Sequence, residues 1–387
     1  MREVYLDHAS TTPPHEAALE AITRLSREAY ADPSRLYGRA RSARIALDAA
    51  RATTAEAIGV RPEEIVFTSG GTESCNLAVI GGARAGRAAR KPPRVVVSAV
   101  EHTAVLEAAR MLAAEGYEVV EVPVDGSGTV DLDALRDAVA GGAALVSVQH
   151  ANQEVGTIQP VAEAARIAKE AGALMHTDAC MTVGQLPVHP GELGVDLLSA
   201  SAHKSYGPKG AGVLWVRRGV RVRPTTPGDD RERHRRAGME NLPAIAGMAA
   251  ALEARRTEIG DEAPRLRALT ERLREELPRR VDDLVVHGHP TERLPGLVAF
   301  SVLYVEGETM LLLLDAKGIA VHSGSSCTSS TQEPSHVLAA MGALTHGSIR
   351  VSLGRDSSSE EVDYLLETLP GVISQVRALG EQQAGSR

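Results

Sequence analysis

The chain has 387 residues, with 42 Lys and Arg against 50 Asp and Glu, and so carries a formal net charge of −8 at pH 7. Its 43% hydrophobic and 24% charged residues are ordinary for a folded protein and exclude wholesale disorder. The acidic balance argues against nucleic acid as the main partner, and the sequence shows neither a membrane-spanning apolar run nor a signal-peptide core. We expect a soluble, cytoplasmic globular protein of about two domains.

The cysteines and lysines limit the kinds of site that the chain can form. Cys75, Cys180 and Cys327 have no CxxC or His-rich spacing, which argues against a disulfide framework and against any metal site. The chain contains only five lysines, so chemistry that needs a primary amine has few candidates.

The first half of the chain predicts an α/β fold. Apolar spacing predicts helices over 14–30 and 38–59. Short apolar runs then predict strands over 64–70, 94–100, 118–124, 144–151, 173–179, 196–202 and 211–217. Helices are predicted between these runs near 73–84, 102–116, 131–140 and 161–172. Continuous Val, Ile and Leu runs separated by helices indicate a mostly parallel sheet covered on both faces.

The pattern changes after residue 219, where a polar stretch broken by Pro and Gly predicts a long loop. The helical stretch that follows, through about 281, carries so many charges that we expect an exposed connector. A smaller α+β unit is predicted from strands near 297–304, 319–323 and 348–353 and helices near 308–317, 334–342 and 359–379. We therefore predict a large α/β domain over 14–260 and a small α+β domain formed by 1–13 and 261–387.

Several polar clusters follow predicted strands, where ligands bind in such sheets. In TSGGTESCN (68–76), Gly71 and Thr72 close a strand and open a helix, which suits a phosphate but is also common at ordinary helix starts. His102 lies at a second strand-to-helix junction, where a histidine is often only a cap. Asp178 ends another strand, and a carboxylate buried there needs a cation or a donor, unless it is an N-cap or a structural salt bridge.

The segment SASAHKSYGPKG (199–210) follows the next strand and contains Ser201, His203 and two of the five lysines, Lys204 and Lys209. A surface turn would also explain it. Taken together, however, a phosphate cradle, an aromatic ring, a buried carboxylate and a strand-end lysine are the requirements of pyridoxal 5′-phosphate. The lysine forms a Schiff base with this cofactor, and the carboxylate pairs with its pyridinium nitrogen.

Two further residues lie in the predicted small domain. Cys327 in HSGSSCTSSTQEPSHVL (322–338) is surrounded by Ser, Gly and Thr, as in an exposed loop, where a thiol is either without function or a nucleophile. Arg350 lies in a strand of GSIRVSLGR (347–355) and suits either a bidentate clamp on a carboxylate or a structural ion pair.

The sequence resembles the pyridoxal-phosphate-dependent cysteine desulfurases of the NifS/IscS type, within the class V aminotransferase group. The resemblance covers nearly the whole chain and is carried by motifs such as VYLDHASTTP, EIVFTSGGTESCNLA, VEHTAVLE, SAHKSYGPKGAG and HSGSSCTSSTQEPSHVL. It implies the aspartate-aminotransferase fold (fold type I) and a homodimer with active sites near the subunit interface. The CTSSTQEP segment looks like the branch that supplies sulfur to scaffold or acceptor proteins.

The resemblance also implies a role for each site residue. Lys204 would be the Schiff-base lysine, His102 would stack on the ring and relay protons, and Asp178 would hold the ring nitrogen. Three residues would bind the phosphate beside Gly71, namely Thr72, Ser201 and His203.

The remaining roles concern substrate and product. Arg350 would hold the carboxylate of L-cysteine, and Cys327 would take its sulfur as a persulfide while alanine is released. The acceptor of that sulfur stays open between iron–sulfur cluster assembly, tRNA thiolation and dedicated biosynthesis.

Four positions depart from the pattern. Gln153 in HANQE stands where the family usually has an Asn, and Met181 stands where it has a Gln, both of which contact the cofactor hydroxyl. Met239 replaces a Thr that reaches the neighbouring subunit's phosphate, and Asp32 replaces the Asn of a GNP segment. A lost hydrogen bond costs about 0.5–1.5 kcal/mol, so we expect altered cofactor electronics, weaker cofactor retention or a shifted substrate.

These departures keep two alternatives open. One is a pyridoxal-phosphate-dependent lyase, aminotransferase or epimerase that acts on another amino acid. The other is a catalytically silenced homologue that serves as a binding or scaffold subunit.

Overall fold

The computed structural model describes residues 3–323 and 334–385, with the backbone alone for 381–385. Cys327 lies outside the described residues. The strands are β1 (Val4–Tyr5), β2 (Ile65–Thr68), β3 (Arg94–Ser98), β4 (Glu118–Val122), β5 (Leu145–Ser147), β6 (Leu174–Asp178), β7 (Leu197–Ser201), β8 (Gly212–Val216), β9 (Leu284–His287), β10 (Leu297–Val302), β11 (Ile319–Ala320) and β12 (Ser348–Ser352).

The helices connect and cover these strands. They are α1 (Glu16–Glu28), α2 (Gly38–Ala57), α3 (Gly71–Asn76), α4 (Gly82–Ala88), α5 (Thr103–Ala114), α6 (Leu132–Val139), α7 (Val161–Glu170), α8 (Pro190–Leu193), α9 (Arg231–His234), α10 (Leu242–Arg280), α11 (Gly307–Asp315), α12 (His336–Ala340) and α13 (Ser359–Gly385). A π-helical turn, Leu77–Gly81, joins α3 to α4. Within the described ranges, no helix is both long and apolar enough to cross a membrane.

The large sheet has seven strands in the order β2-β8-β7-β6-β5-β3-β4. The strands from β7 to β4 along this order run parallel to their neighbours, whereas β8 is antiparallel to both β7 and β2. Strands of this sheet such as β5, β7 and β8 are buried along their whole length, as expected for apolar runs covered on both faces. The predicted α/β fold with a mostly parallel sheet is confirmed.

A smaller unit is built on the antiparallel sheet β12-β10-β9 and the two-stranded parallel sheet β1-β11. Strands β1 and β9 were not predicted from the sequence. The core of this unit combines Val4 and Leu6 with apolar residues of the second half of α10 and of α13. The first half of α10 packs instead into the core of the large sheet. The domain boundary at 260 stays a prediction, and this division of α10 between two cores supports it.

The expectation that the stretch before residue 281 is an exposed connector is wrong for much of α10. Arg255 is only 1% exposed. Its guanidinium donates to both carboxylate oxygens of Glu262, at 2.6 and 2.7 Å, and lies 4.7 Å from the centre of the Tyr206 ring. The charges of this helix are therefore partly paired inside the protein, which a charge pattern alone does not distinguish from a solvated face.

The N-terminal segment 6–12 joins the two units at the edge of the large sheet. The amide of Ala9 donates to Ser352 Oγ in β12 at 2.9 Å, and the amide of Thr12 donates to the carbonyl oxygen of His203 at 2.9 Å. This segment therefore lies between the small sheet and the turn that follows β7.

One buried ion pair gives a test of the fold. Glu232 accepts two hydrogen bonds from Arg51, at 2.6 and 2.8 Å, and one from the amide of Phe67, and its side chain is 1% exposed. We expect Glu232→Ala to lower the free energy of unfolding by about 3–5 kcal/mol, because it leaves the Arg51 charge buried and unpaired.

Urea denaturation of both proteins would measure this loss. The matched control is Arg44→Ala, whose partner Asp48 lies on the surface with both side chains 57% exposed, and there we expect a loss below about 1 kcal/mol. Similar losses in the two variants would contradict the assignment of Arg51 and Glu232 as a buried pair.

Candidate active site

A cavity of about 340 Å³ lies at the carboxyl edge of the large sheet, where parallel strands place their following loops. Every site residue predicted from the sequence and present among the described residues lines this cavity. They are Gly71, Thr72, His102, Gln153, Asp178, Met181, Ser201, His203, Lys204 and Arg350.

Lys204 follows β7 in a 3₁₀ turn and points its amine into the cavity. Its Nζ donates to the carbonyl oxygen of Ala9 at 2.8 Å and lies 3.5 Å from the sulfur of Met181. Burial lowers the pKa of Lys204, and the nearby positive charge of Arg350 lowers it further. A lowered pKa increases the fraction of the neutral amine, which is the form that attacks a carbonyl carbon.

Asp178 supplies a buried carboxylate at the end of β6. It is 8% exposed, and its Oδ1 accepts a hydrogen bond from the amide of Cys180 at 2.9 Å. The side chain also lines the cavity. A cation inside the cavity would compensate the cost of burying this charge.

His102 caps α5 and faces the same cavity. Its Nδ1 accepts a hydrogen bond from the amide of Ala104 at 3.0 Å, which places the proton of the neutral ring on Nε2. Burial lowers the pKa of His102, so the ring is neutral at pH 7. A neutral, oriented imidazole suits contact with a flat aromatic ligand.

An anion site can be recognised from an unsatisfied hydroxyl. Ser201 Oγ is buried and has no hydrogen-bond partner among the described residues. Gly71 lies beside it, and a Cβ at Gly71 would stand 2.6 Å from the sulfur of Cys180 and 3.3 Å from Ser201 Cβ. Gly71 thus allows the start of α3 to approach Cys180 and Ser201 closely. Thr72 and His203 line the same cavity.

His203 is neutral in this environment. Burial lowers its pKa to about 4, with a further decrease from the positive charges of Lys204 and Lys209. Its Nδ1 lies 3.2 Å from Thr11 Oγ1. A neutral histidine can still donate one hydrogen bond to a phosphate oxygen.

Arg350 fits both roles that its sequence context allows. One terminal nitrogen donates to Asp7 Oδ1 at 2.7 Å and to Ser10 Oγ at 2.6 Å, and the other donates to the carbonyl oxygen of Gln153 at 2.9 Å. Its Nε is buried and has no partner among the described residues. The ion pair with Asp7 therefore orients the guanidinium while a donor stays available to a carboxylate ligand.

The four positions that depart from the family pattern differ in how close they lie to the cavity. Met181 contacts the amine of Lys204, whereas Gln153 lines the cavity and holds Arg350 through its carbonyl oxygen. Asp32 accepts a hydrogen bond from Arg231 at 2.7 Å and therefore has a structural role in this chain. Met239 is 58% exposed.

Sequence reasoning gave no role to the three residues of the N-terminal segment that contact the site, Asp7, Ala9 and Ser10. The signal that could have found them was the motif VYLDHASTTP, which contains all three. The same reasoning left Cys75 and Cys180 without a role, and both line the cavity as buried free thiols.

Comparison with known proteins extends these findings. The family model of class-V aminotransferases matches residues 4–365. The chain is 44% identical to cysteine desulfurase IscS of Dictyoglomus turgidum over 381 residues, which cover 98% of this chain and 96% of that protein. It is 43% identical to cysteine desulfurase IscS of Methanosarcina thermophila over 379 residues, covering 97% and 93% of the two chains. The solved structure of a NifS-like protein is similar with a TM-score of 0.89 and 35% identity, covering 96% of this chain and 100% of that one.

The unsatisfied hydroxyl of Ser201 yields a test. Because Ser201 Oγ has no partner among the described residues, we expect Ser201→Ala to leave the free energy of unfolding unchanged or slightly higher in the protein without cofactor. The same substitution should weaken binding of pyridoxal 5′-phosphate by about 10-fold to 100-fold, because hydrogen bonds to charged groups are worth about 1.5–3 kcal/mol.

Thermal unfolding and a titration with the cofactor measure the two effects. Ser301→Ala is the matched control, because Ser301 Oγ is buried and donates to the carbonyl oxygen of Leu344 at 2.9 Å. We expect this variant to lose stability and keep its cofactor affinity. Unchanged cofactor binding in Ser201→Ala would remove Ser201 from the phosphate site.

Proposed function

This chain belongs to the class-V aminotransferase family and is a cysteine desulfurase, and we propose that the cavity around Lys204 carries this activity with pyridoxal 5′-phosphate as cofactor. The resemblance stated from the sequence motifs is confirmed, and so is fold type I. The observation that carries the proposal is the convergence of Lys204, Asp178, His102 and Arg350 on one cavity beside the unsatisfied hydroxyl of Ser201.

The residues present fit the cofactor. Ser201 Oγ and Arg350 Nε are buried donors without partners among the described residues, and both side chains line the cavity. Lys204 would bind the aldehyde carbon, Asp178 would hold the ring nitrogen, and His102 would contact the ring face. The phosphate would be held by Gly71, Thr72, Ser201 and His203.

Pyridoxal 5′-phosphate, when bound, supplies an electron sink that makes the α-proton of an amino acid labile. The chain's own residues then position the substrate and move its protons. Arg350 binds the carboxylate of L-cysteine, with Nε as the donor that has no partner among the described residues. The amine of Lys204, whose pKa is lowered by burial, accepts a proton from the substrate. His102 holds a proton at Nε2.

Cys327 is the proposed sulfur acceptor on the strength of its motif, since it lies outside the described residues. Its thiolate attacks the sulfur of L-cysteine, the carbon–sulfur bond breaks, and a sulfur–sulfur bond forms. Carbon receives the electron pair and a proton, so that L-cysteine and the thiol become L-alanine and a Cys327 persulfide. The terminal sulfur of that persulfide then passes to an acceptor.

The partners follow from the same proposal. We propose that the acceptor is a protein of iron–sulfur cluster assembly, of tRNA thiolation or of a dedicated biosynthetic route. A cytoplasmic homodimer is proposed as well. The homodimer is supported by exposed large apolar side chains, which a subunit interface would cover. They are Leu36, Tyr37 and Met239, which are 94%, 57% and 58% exposed in the single chain.

The activity itself is tested on purified protein supplied with pyridoxal 5′-phosphate and L-cysteine. We expect alanine to form and mass spectrometry to find one extra sulfur on the Cys327 peptide. In Cys327→Ala both signals should be lost, because no other residue is proposed to take the sulfur. Ser326→Ala is the matched control in the same segment and should keep both signals.

Two results would redirect this proposal. Alanine formation that survives in Cys327→Ala would mean that another nucleophile accepts the sulfur. A Lys204→Ala variant that keeps the borohydride-sensitive absorbance of the bound cofactor would mean that Lys204 is not the lysine that binds it.

The Met181 position gives a separate prediction. A thioether sulfur is only a weak acceptor and cannot donate to the cofactor hydroxyl, whereas a Gln amide can. We expect Met181→Gln to bind pyridoxal 5′-phosphate about 2-fold to 10-fold more tightly, equivalent to about 0.5–1.5 kcal/mol. The control is Met111→Gln, where the native side chain is 50% exposed on α5 and the affinity should not change. Equal affinities in Met181→Gln and the native protein would contradict a contact between this position and the cofactor.

A further inference from the structure

A connected set of buried polar side chains lies behind the cavity. Glu101, Ser147, His176 and Ser199 are each 0% exposed. Ser147 Oγ lies 3.4 Å from a carboxyl oxygen of Glu101 and 2.8 Å from His176 Nδ1, and His176 Nε2 lies 2.9 Å from Ser199 Oγ. The second carboxyl oxygen of Glu101 accepts a hydrogen bond from the amide of Gln149 at 2.5 Å. We call these four side chains the buried polar layer.

The strand register places this layer next to Asp178. His176 and Asp178 are two residues apart on β6, so their side chains emerge on the same face of the sheet. Across the neighbouring strands, Ser147 pairs with His176 and Ser199 pairs with Asp178. Residues paired directly across strands share a face. The side chains of β5, β6 and β7 that form the layer therefore lie on the face that carries the Asp178 carboxylate.

We propose that the buried polar layer, with Glu101 at its end, positions Asp178 for the reaction. The inference rests on the proposed function for the identity of the cation that Asp178 meets. It adds Glu101, Ser147, His176 and Ser199 to the machinery as positioning residues that do not line the cavity.

The electrostatics of the layer agree with an uncharged state. Burial raises the pKa of Glu101 to about 8, and the negative charge of Asp178 contributes to this increase. Burial lowers the pKa of His176 to about 4. At neutral pH the Glu101 carboxyl is thus protonated and the His176 ring is neutral, so no second charge competes with Asp178 for a cation.

Other titratable groups pack around the layer. The Cys75 thiol on α3 hydrogen bonds to Ser199, and its hydrogen bond with Cys180, together with burial, raises its pKa well above the ordinary value. Burial lowers the pKa of His102, which follows Glu101 in the chain. His336 on α12 contacts the backbone carbonyl oxygen of Glu101 at 2.9 Å. Cys180 follows β6 next to Asp178, and its pKa is also raised. Asp178 is therefore the charged group that the Glu101 carboxyl meets.

The uncharged state of Glu101 can be tested without cofactor. A carboxyl group whose pKa is higher in the folded state than in the unfolded chain stabilises the fold at low pH, and this contribution is lost between the pKa of the unfolded chain and about 8. Glu101→Gln mimics the protonated carboxyl and cannot ionise. We expect its urea midpoint, relative to that of the native protein, to rise between pH 5 and about pH 8 and to level off above pH 8.

The control for this measurement is Glu107→Gln on α5, where the native side chain is 64% exposed and the difference should stay flat with pH. A flat difference for Glu101→Gln as well would overturn the proposal, since it would show that Glu101 is not held as an uncharged carboxyl inside the layer. Because this experiment needs no cofactor, it is independent of the proposed function.

The positioning role is tested in the loaded protein. Glu101→Leu removes the acceptor of the Gln149 amide and the neighbour of Ser147, and we expect it to weaken pyridoxal 5′-phosphate binding at least 10-fold at pH 7. Glu101→Gln keeps both contacts and should retain native affinity at pH 7, so the conservative variant rescues the loss. Equal cofactor affinity in Glu101→Leu and the native protein would overturn the positioning role.

If Glu101→Leu does not fold, Ser199→Ala provides the same comparison from the other end of the layer, with the same weakened binding expected. Native protein that forms no lysine-bound chromophore at all would instead contradict the proposed function. The pH dependence of the urea midpoint would still decide whether Glu101 is held uncharged in the layer.

Discussion

A single negative charge buried at the carboxyl edge of a parallel sheet is the constraint on which the site depends. Asp178 is 8% exposed, and an unpaired charge at that depth costs several kcal/mol. Three features around Asp178 offset this cost. The amide of Cys180 donates a hydrogen bond to the carboxylate, the polar layer around His176 is uncharged, and the cavity can hold a cation. A cation bound there stabilises the folded chain, so cofactor occupancy and stability are linked.

Several side chains have two tasks that fall on different atoms. Arg350 uses its terminal nitrogens for Asp7, Ser10 and the Gln153 carbonyl oxygen, while Nε stays without a partner among the described residues. His102 caps α5 with Nδ1 and keeps its ring face and Nε2 for the cavity. For both residues, the structural contact orients the atom to which we assign the function.

The sequence predicted what depends on local pattern and missed what depends on distant pairing. The strands of the large sheet follow from continuous apolar runs, and Thr72, His102, Asp178 and Lys204 follow from their places after those strands. The positions of Gln153 and Met181 came from the resemblance to the family. The ion pair between Asp7 and Arg350 joins positions 343 residues apart, and no local pattern indicates it. Charge density failed for α10, because Arg255 pairs with Glu262 inside the protein instead of facing solvent.

Met181, which stands where the family usually has a Gln, also affects the amine of Lys204. The Met181 sulfur stands 3.5 Å from the Lys204 amine, and a thioether stabilises an ammonium less than an amide oxygen does. Burial and the charge of Arg350 already lower the pKa of Lys204, and a weak acceptor does not oppose that shift. A neutral amine is the form that binds the cofactor aldehyde. On the proposed assignment of the cavity, Met181 thus gives up one hydrogen bond to the cofactor and favours the neutral form of Lys204, so we expect cofactor retention and lysine reactivity to change in opposite directions.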